Sequence, residues 1–359
     1  MIFFDKNKKI KPKWHRDSVF LHYTGNMLGI GCSIFSKLAL KRINLLKQRK
    51  DNKGYIVLIP EIEWLSRYKI EIDNDVKRLM QQYWPGELTF VLKNSNIQFK
   101  EVSNNGYTAF RIPSNSYLRE FISEINEPII STSINSANKQ PMLDLFQIKK
   151  TRQEWFDFTV IYDEMAEFNS VPSTIIKFDE NDFICLREGT IPFNKIIESY
   201  NHPLILFICT ANICRSPMAE YYARNLIEQQ KLPFIVKSAG FLLGGVNISP
   251  FSAEVLKESG IDANNHISTQ INHELISDSW LILTMTQSHK DMLLDLEPNA
   301  IYKTFSLSEF CGLKYSNSKF YGISSDIEDP FGLDIYFYRE AFKKVKERID
   351  YVIEFISKE

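Results

Sequence analysis

Residues 204–220 read LILFICTANICRSPMAE, and this stretch decides the second half of the chain. Leu204–Ile208 is a short, wholly apolar run, the pattern of a buried strand. Cys209 ends it, Arg215 follows after five intervening residues, and Ser216-Pro217 then opens a helix. Proline suits a first helical turn because its missing N–H has no partner there anyway. A loop turning into a helix N-terminus aims several backbone N–H groups at one point, which makes an anion site. Such a field, with a guanidinium alongside, lowers a thiol pKa from about 8.5 into the range of roughly 3.5–7.5, giving a thiolate at neutral pH. The planar fork of arginine fits two phosphoryl oxygens. A thiolate beneath a bound phosphate is a nucleophile in position.

C-terminal to this loop the pattern alternates strongly. A helix is expected from Ser216 to Gln230, a strand at Phe234–Ser238, a helix at Pro250–Glu258 and a strand at Trp280–Met285. A helix at Gln287–Leu294 and a long amphipathic helix at Ile335–Ile356 follow. Strands alternating with helices of this length imply crossover connections and a mostly parallel sheet. On the other side, SYNHP (199–203) is a short polar segment ending in proline and reads as a boundary. The expected domains are therefore residues 1–200 and 203–359. Within the first, apolar runs at Val19–His22, Tyr55–Ile59, Leu88–Leu92 and Thr174–Phe178 are separated by helix-like stretches at Lys37–Lys47 and Asp73–Gln82. Pro141–Gln153 reads as loop with some helix.

The composition bounds the function. With 359 residues, 44% hydrophobic and 24% charged, the chain reads as an ordinary globular protein of about two domains. Its 43 basic and 44 acidic residues nearly cancel, so net charge names no polyanionic partner and excludes none. No apolar run reaches the ~18 residues that span a bilayer, and MIFFDKNKKIKPKWHR lacks the apolar stretch of a secretory signal. Five cysteines form no disulfide framework and fit a reducing cytosol. A cytoplasmic protein with no membrane partner is expected.

The segment around Cys209 resembles the low-molecular-weight protein phosphatase family. That signature is a cysteine, five residues, an arginine and a serine, with an internal asparagine and a second cysteine. Here these are Cys209, Asn212, Cys214, Arg215 and Ser216. Ala211 stands where the family usually has glycine, and is expected to crowd the loop because alanine tolerates positive φ poorly. SSDIEDPFGLDIYFYREAF supplies a second motif, with Asp329-Pro330 before the last helix, where the family places its general acid. An acid is needed there because the leaving oxygen or nitrogen must take a proton as its bond to phosphorus breaks. The resemblance covers residues 203–359, including VKSAG and GIDANNHIS, in which His266 is expected to be a structural hydrogen-bonding group.

The resemblance implies a role for each loop residue. Cys209 attacks phosphorus, Arg215 and the amides of residues 210–215 hold the phosphoryl group, and Asp329 is acid and then base. Ser216 stabilises the thiolate, and Asn212 holds the loop shape. Thr210, Ala211, Ile213 and Cys214 line or support the loop, and Cys214 lies within disulfide reach of Cys209 in this family, which implies reversible oxidation. No metal or other cofactor is implied, since loop amides and arginine supply the positive field. The expected partner is a phosphorylated protein. The family has phosphotyrosine and phosphoarginine branches. Ile213 resembles the tyrosine branch, whereas Thr210 and the DPFG segment with the substrate-contacting Phe331 resemble the arginine branch. An aryl phosphate is the expected preference, because Ile213 offers an apolar wall and no hydroxyl. Arsenate reductases share the loop but need two further cysteines, and only Cys311 lies beyond Cys214.

The first half carries dispersed signals. LKQRK places Lys47 and Arg49 two apart after a helix, the spacing of a phosphate clamp, and TSIN places Thr132, Ser133 and Asn135 after the strand-like Pro128–Ile130. With YWPGELTFVL, FRIP, PSTIIKF and CLREGTI these segments, over residues 17–192, resemble the YrdC-type domain of threonylcarbamoyl-AMP synthases. That family joins L-threonine, bicarbonate and ATP into an adenylate used in tRNA modification. The resemblance implies a twisted mixed α/β domain ahead of the doubly wound phosphatase sheet. It also implies ATP, with magnesium, as a substrate. By position Lys47, Arg49, Thr132, Ser133, Asn135 and Arg187 fall around the ATP, and Thr24, Arg111 and Ser173 nearer the threonine, with Thr89 on the sheet between. YTGNMLGIG departs from the family's opening motif: Tyr23 replaces proline, Asn26 the second threonine and Leu28 the tyrosine. The alternative is a non-catalytic nucleotide- or RNA-binding module.

Overall fold

The computed structural model describes residues 14–48, 54–134, 144–161, 171–179, 182–313 and 326–358. The chain forms two units: Met1–Val76 with Tyr83–Ile196, and Lys77–Gln82 with Ile197–Glu359.

The first unit carries strands β1 (Phe20–Tyr23), β2 (Leu28–Ser33), β3 (Ile56–Leu58), β4 (Leu88–Lys93), β5 (Tyr107–Arg111), β6 (Ile129–Ser133), β7 (Phe158–Val160), β8 (Thr174–Asp179) and β9 (Asp182–Arg187). Its helices are α1 (Lys37–Lys47), α2 (Glu63–Arg67), α4 (Ser116–Ile125) and α5 (Leu145–Arg152), while α3 (Asn74–Tyr83) and α6 (Phe193–Asn201) have residues in both units. The strands form one mixed sheet in the order β7-β1-β2-β6-β3-β5-β4-β8-β9. Register sets which residues share a face. His22 pairs with Gly29 and Gly29 with Ser133, while Gly31 pairs with Ser131, which also pairs with Ile56. The glycines of LGIG are needed by close approach. A Cβ on Gly29 would lie 2.9 Å from the Thr132 carbonyl oxygen and 3.1 Å from the His22 ring, and one on Gly31 would lie 2.6 Å from the Ile130 oxygen. Against one end of the sheet Phe20 stacks on Phe158 at 5.5 Å and meets Phe121 edge-on at 5.1 Å.

Two expectations change here. Thr132 and Ser133 lie within β6 rather than after it, because antiparallel pairing with β2 uses backbone groups and is indifferent to the hydroxyl side chains. SYNHP is not a bare linker either: α6 runs through its first residues to Asn201.

The second unit is a four-stranded, wholly parallel sheet in the order β11-β10-β12-β13. Its strands are β10 (Leu204–Cys209), β11 (Ile235–Gly240), β12 (Ser279–Thr284) and β13 (Thr304–Ser306). Helices α7 (Arg215–Gln230), α8 (Pro250–Glu258), α9 (His273–Asp278), α10 (Gln287–Leu296), α11 (Leu307–Leu313) and α12 (Ile335–Ile356) connect and cover it. β10 has β11 on one side and β12 on the other, so strand order reverses at its C-terminal end. In open α/β sheets that reversal opens the crevice where ligands bind, and Cys209 is the last residue of β10. Along α12, Tyr338, Phe342, Val345, Ile349, Val352, Ile353 and Ile356 recur at helical spacing and join the core around α7 and the sheet. Among the described residues no helix is long and apolar enough to cross a membrane.

Candidate active site

Cys209 is 2% exposed, and its Sγ accepts hydrogen bonds from the Asn212 backbone N–H at 3.3 Å and the Ser216 hydroxyl at 3.0 Å. Both donors point at the sulfur, and neither needs a proton from it. The loop reaches this geometry through Asn212, whose φ of 56° is left-handed. Its Nδ2 donates to the Ser216 hydroxyl at 3.0 Å and the Ser238 hydroxyl at 2.7 Å, and its Oδ1 accepts from the Thr269 N–H at 2.8 Å. His266 meets the Asn212 carbonyl oxygen through Nε2 at 2.9 Å, the structural contact its sequence position suggested. The expected crowding at Ala211 does not arise, because the left-handed residue is its neighbour Asn212. Beneath the loop sits Gly240. A Cβ there would lie 2.7 Å from the Asn212 nitrogen and 2.8 Å from the Thr210 oxygen, so the glycine of VKSAG lets β11 close on the loop.

Arg215, the first residue of α7, is 4% exposed. Its Nη1 donates to the Ile327 carbonyl oxygen at 3.1 Å and its Nη2 to the Thr210 hydroxyl at 3.3 Å, and Nη2 also pairs with Asp329 Oδ2. Its Nε is buried and has no partner among the described residues. The guanidinium therefore keeps one donor open and a second shared with a carboxylate. The two nitrogens could take two oxygens of an anion if Asp329 moved aside. Asp329 is also held by the Phe331 N–H on Oδ1 at 3.2 Å, and Phe331 itself is 65% exposed. Ile213 is half-buried and packs against the core, with its carbonyl oxygen accepting from the Ser249 N–H at 2.9 Å. Cys214 precedes α7, its Sγ 3.6 Å from the Tyr338 hydroxyl, and burial pushes its thiol pKa up.

Sequence reasoning missed the residues that brace this loop from a distance. Ser238 hydrogen-bonds Glu220, which in turn pairs with Arg224 one helical turn on. His289 contacts Thr210. Only the three-dimensional crossing of β11 and α10 brings these side chains to the loop.

In the first unit, a cavity of about 440 Å³ is lined by Thr24, Lys47, Arg111, Thr132, Ser133, Ser173 and Arg187. Thr89 does not line it, but its hydroxyl lies 2.9 Å from that of Ser173. Arg49 and Asn135 lie outside the described residues. Lys47 Nζ donates to the Ser133 carbonyl oxygen at 2.6 Å, and Arg187 Nη2 to the Ser173 carbonyl oxygen at 2.7 Å. Arg111, buried beside Glu87, donates through Nη2 to Asn26 Oδ1 at 2.9 Å and through Nε to the Gly86 carbonyl oxygen at 2.7 Å. Burial lowers its pKa to about 10, so it stays a cation at neutral pH. Three cations and several hydroxyls on one cavity suit a polyphosphate or carboxylate ligand.

Comparison with known proteins agrees with this division. The model of the family described as low molecular weight phosphotyrosine protein phosphatase matches residues 204–359, and the Sua5/YciO/YrdC model, described as telomere recombination, matches residues 15–189. A protein-arginine-phosphatase of Geobacillus stearothermophilus is 41% identical over 157 residues, covering 43% of this chain and 97% of that protein. The low molecular weight protein-tyrosine-phosphatase PtpB of Staphylococcus haemolyticus is 34% identical over 142 residues, 39% of this chain and 91% of that protein. A putative threonylcarbamoyl-AMP synthase of Methanocaldococcus jannaschii is 26% identical over 173 residues, 48% of this chain and 80% of that protein. The chain thus belongs to the low-molecular-weight phosphotyrosine protein phosphatase family through residues 204–359, and its residues 15–189 match the Sua5/YciO/YrdC domain model.

Proposed function

We propose that the second domain dephosphorylates phosphotyrosine in proteins through a phosphocysteine. The observation that carries this is the Cys209 sulfur, held by the Asn212 N–H and the Ser216 hydroxyl next to the open Nε of Arg215. The Cys209 thiolate attacks phosphorus, the bond from phosphorus to the tyrosine oxygen breaks, and Asp329 gives that oxygen its proton. Asp329, now a carboxylate, takes a proton from water, whose oxygen displaces sulfur and releases inorganic phosphate. Ile213 supports the aryl preference because it offers the substrate no hydroxyl. Relatives named for both phosphoarginine and phosphotyrosine make the comparison of kcat/KM on the two kinds of phosphopeptide the test. A higher value on phosphoarginine would overturn the preference while leaving the chemistry of Cys209 intact.

For the first domain the proposed activity is L-threonylcarbamoyladenylate synthesis from ATP, L-threonine and bicarbonate, supplying tRNA modification. ATP, with magnesium, would lie toward Lys47, Arg49, Thr132, Ser133, Asn135 and Arg187, and threonine toward Thr24, Arg111 and Ser173. One observation favours a second reading, a nucleotide- or RNA-binding module without synthase activity. Asn26 spends both ends of its amide internally: Oδ1 accepts from the Thr24 hydroxyl at 2.8 Å and from Arg111, and Nδ2 donates to the Val171 carbonyl oxygen at 2.8 Å. Adenylate formation by the full chain separates the two, and calorimetry with magnesium and ATP tests what they share. Binding is expected, and expected to be lost in Lys47→Ala. No binding to the wild-type chain would remove the synthase and the nucleotide-binding module, and leave only a module that binds RNA.

A further inference from the structure

We propose that His289 is a positioning residue for phosphoryl transfer: through the Thr210 hydroxyl it keeps the outer nitrogen of Arg215 in place once the substrate has displaced Asp329. The inference rests on the phosphatase reading above. Nη2 of Arg215 has two anchors, the Thr210 hydroxyl and Asp329. Asp329 is an unstable anchor during turnover. Its side chain is 44% exposed, it competes with the incoming phosphoryl oxygens for the same N–H groups, and it must turn to the leaving atom to act as acid. Thr210 is then the remaining anchor on that nitrogen.

A threonine hydroxyl on an exposed residue rotates freely unless something fixes it, and here His289 does. Its Nε2 lies 2.9 Å from Thr210 Oγ1, and its Nδ1 lies 2.9 Å from Thr286 Oγ1, the N-cap of α10. The Phe241 ring stacks on the imidazole at 5.9 Å with planes 20° apart, and the Phe241 N–H donates to the Thr210 carbonyl oxygen at 2.8 Å. His289 is 5% exposed, and burial, aided by the charge of Arg215, lowers its pKa to about 4. The neutral ring has one donor and one acceptor. Arg215 donates into the Thr210 oxygen, which frees the Thr210 proton for Nε2, and Nδ1–H then points to Thr286. Each member donates to the next, and the chain ends on a helix cap.

The test uses the full chain, with Thr210→Val, His289→Leu, His289→Gln and the Thr210→Val/His289→Leu pair. Vanadate mimics the five-coordinate phosphorus of the transition state, and inorganic phosphate the tetrahedral ground state. Losing one hydrogen bond to a charged group should weaken vanadate binding and kcat by roughly 10-fold. Phosphate binding, carried mostly by loop amides, should change by less than about twofold. Thr210→Val keeps the fold whatever His289→Leu does, because Thr210 is exposed. The pair should be no worse than either single change, and Gln should recover most of the loss. Losses that multiply in the pair, a Gln variant no better than Leu, or wild-type vanadate affinity in Thr210→Val would overturn the role of His289. A wild-type chain that hydrolyses neither an aryl phosphate nor a phosphoarginine peptide would defeat the phosphatase reading instead, and the vanadate affinities would still decide whether His289 orients Arg215.

Discussion

Replacing Asn212 should cost more than any other change in the loop that leaves Cys209 and Arg215 in place. The residue is fully buried, and three of its side-chain hydrogen bonds disappear in Asn212→Ala: those to Ser216, Ser238 and the Thr269 N–H. At a net of about 1 kcal/mol each, these amount to ~3 kcal/mol. An alanine held at a φ of 56° adds about 1 kcal/mol more, for a total near 4. Asn212→Gly loses the same hydrogen bonds without the left-handed penalty, so it should be about 1 kcal/mol more stable than Asn212→Ala. Urea titration of the full chain, followed by amide exchange in peptides from the second domain, measures both. Turnover should fall in both variants, since the Ser216 hydroxyl loses the donor that orients it toward Cys209. Refutation would be an alanine variant within about 1 kcal/mol of wild type, or a glycine variant less stable than the alanine one, because the loop would then not depend on Asn212 for its shape.

Two further outcomes follow from named side chains. Asp329→Ala should slow the first step by roughly 10²–10⁴-fold for a leaving group that needs a proton, and far less for a nitrophenolate, read as the burst of leaving group released in the first turnover of each substrate. His22 is fully buried, and burial with the charge of Arg111 lowers its pKa from 6.5 to about 3. Because the unfolded chain takes the proton first, stability of the first domain is complete above pH 6.5 and declines as pH falls toward 3. From 6.5 to pH 5 the loss is about 1.4 kcal/mol per unit, ~2 kcal/mol in all. Denaturant melts at pH 7 and 5 should show that loss in the wild type and a smaller one in His22→Leu; equal losses would mean that His22 is not held neutral.

The second domain was legible because its chemistry is local. One strand, one loop and one helix start place Cys209, Arg215 and Ser216 within eight residues, and the proline after Asp329 marks the other motif. What escaped was whatever depends on crossover. Ser238 and His289 reach the loop from different elements, Glu220 holds Ser238, and nothing in their own neighbourhoods signals it. The first domain was harder because its cavity gathers side chains from β6, β8 and β9 that are far apart in sequence and individually ordinary. Ser131 lines the same cavity and was not singled out, since strand register, which puts it beside Gly31 and Ile56, is set by pairing rather than by local sequence. The extent of β6 was misjudged for a related reason, as threonine and serine carry the ladder as well as isoleucine does.

The central claim is that the phosphoryl group passes through the sulfur of Cys209. The direct measurement is peptide mapping by mass spectrometry of the full-length Asp329→Ala chain, acid-quenched during turnover of a nitrophenyl phosphate, whose leaving group needs no acid. Without Asp329 the water that cleaves the intermediate is not activated, so phosphocysteine should accumulate, with one phosphoryl group on the peptide holding Cys209 and none on that peptide in Cys209→Ala. A phosphoryl group found on another residue, or turnover by Cys209→Ala close to the wild-type rate, would contradict the account.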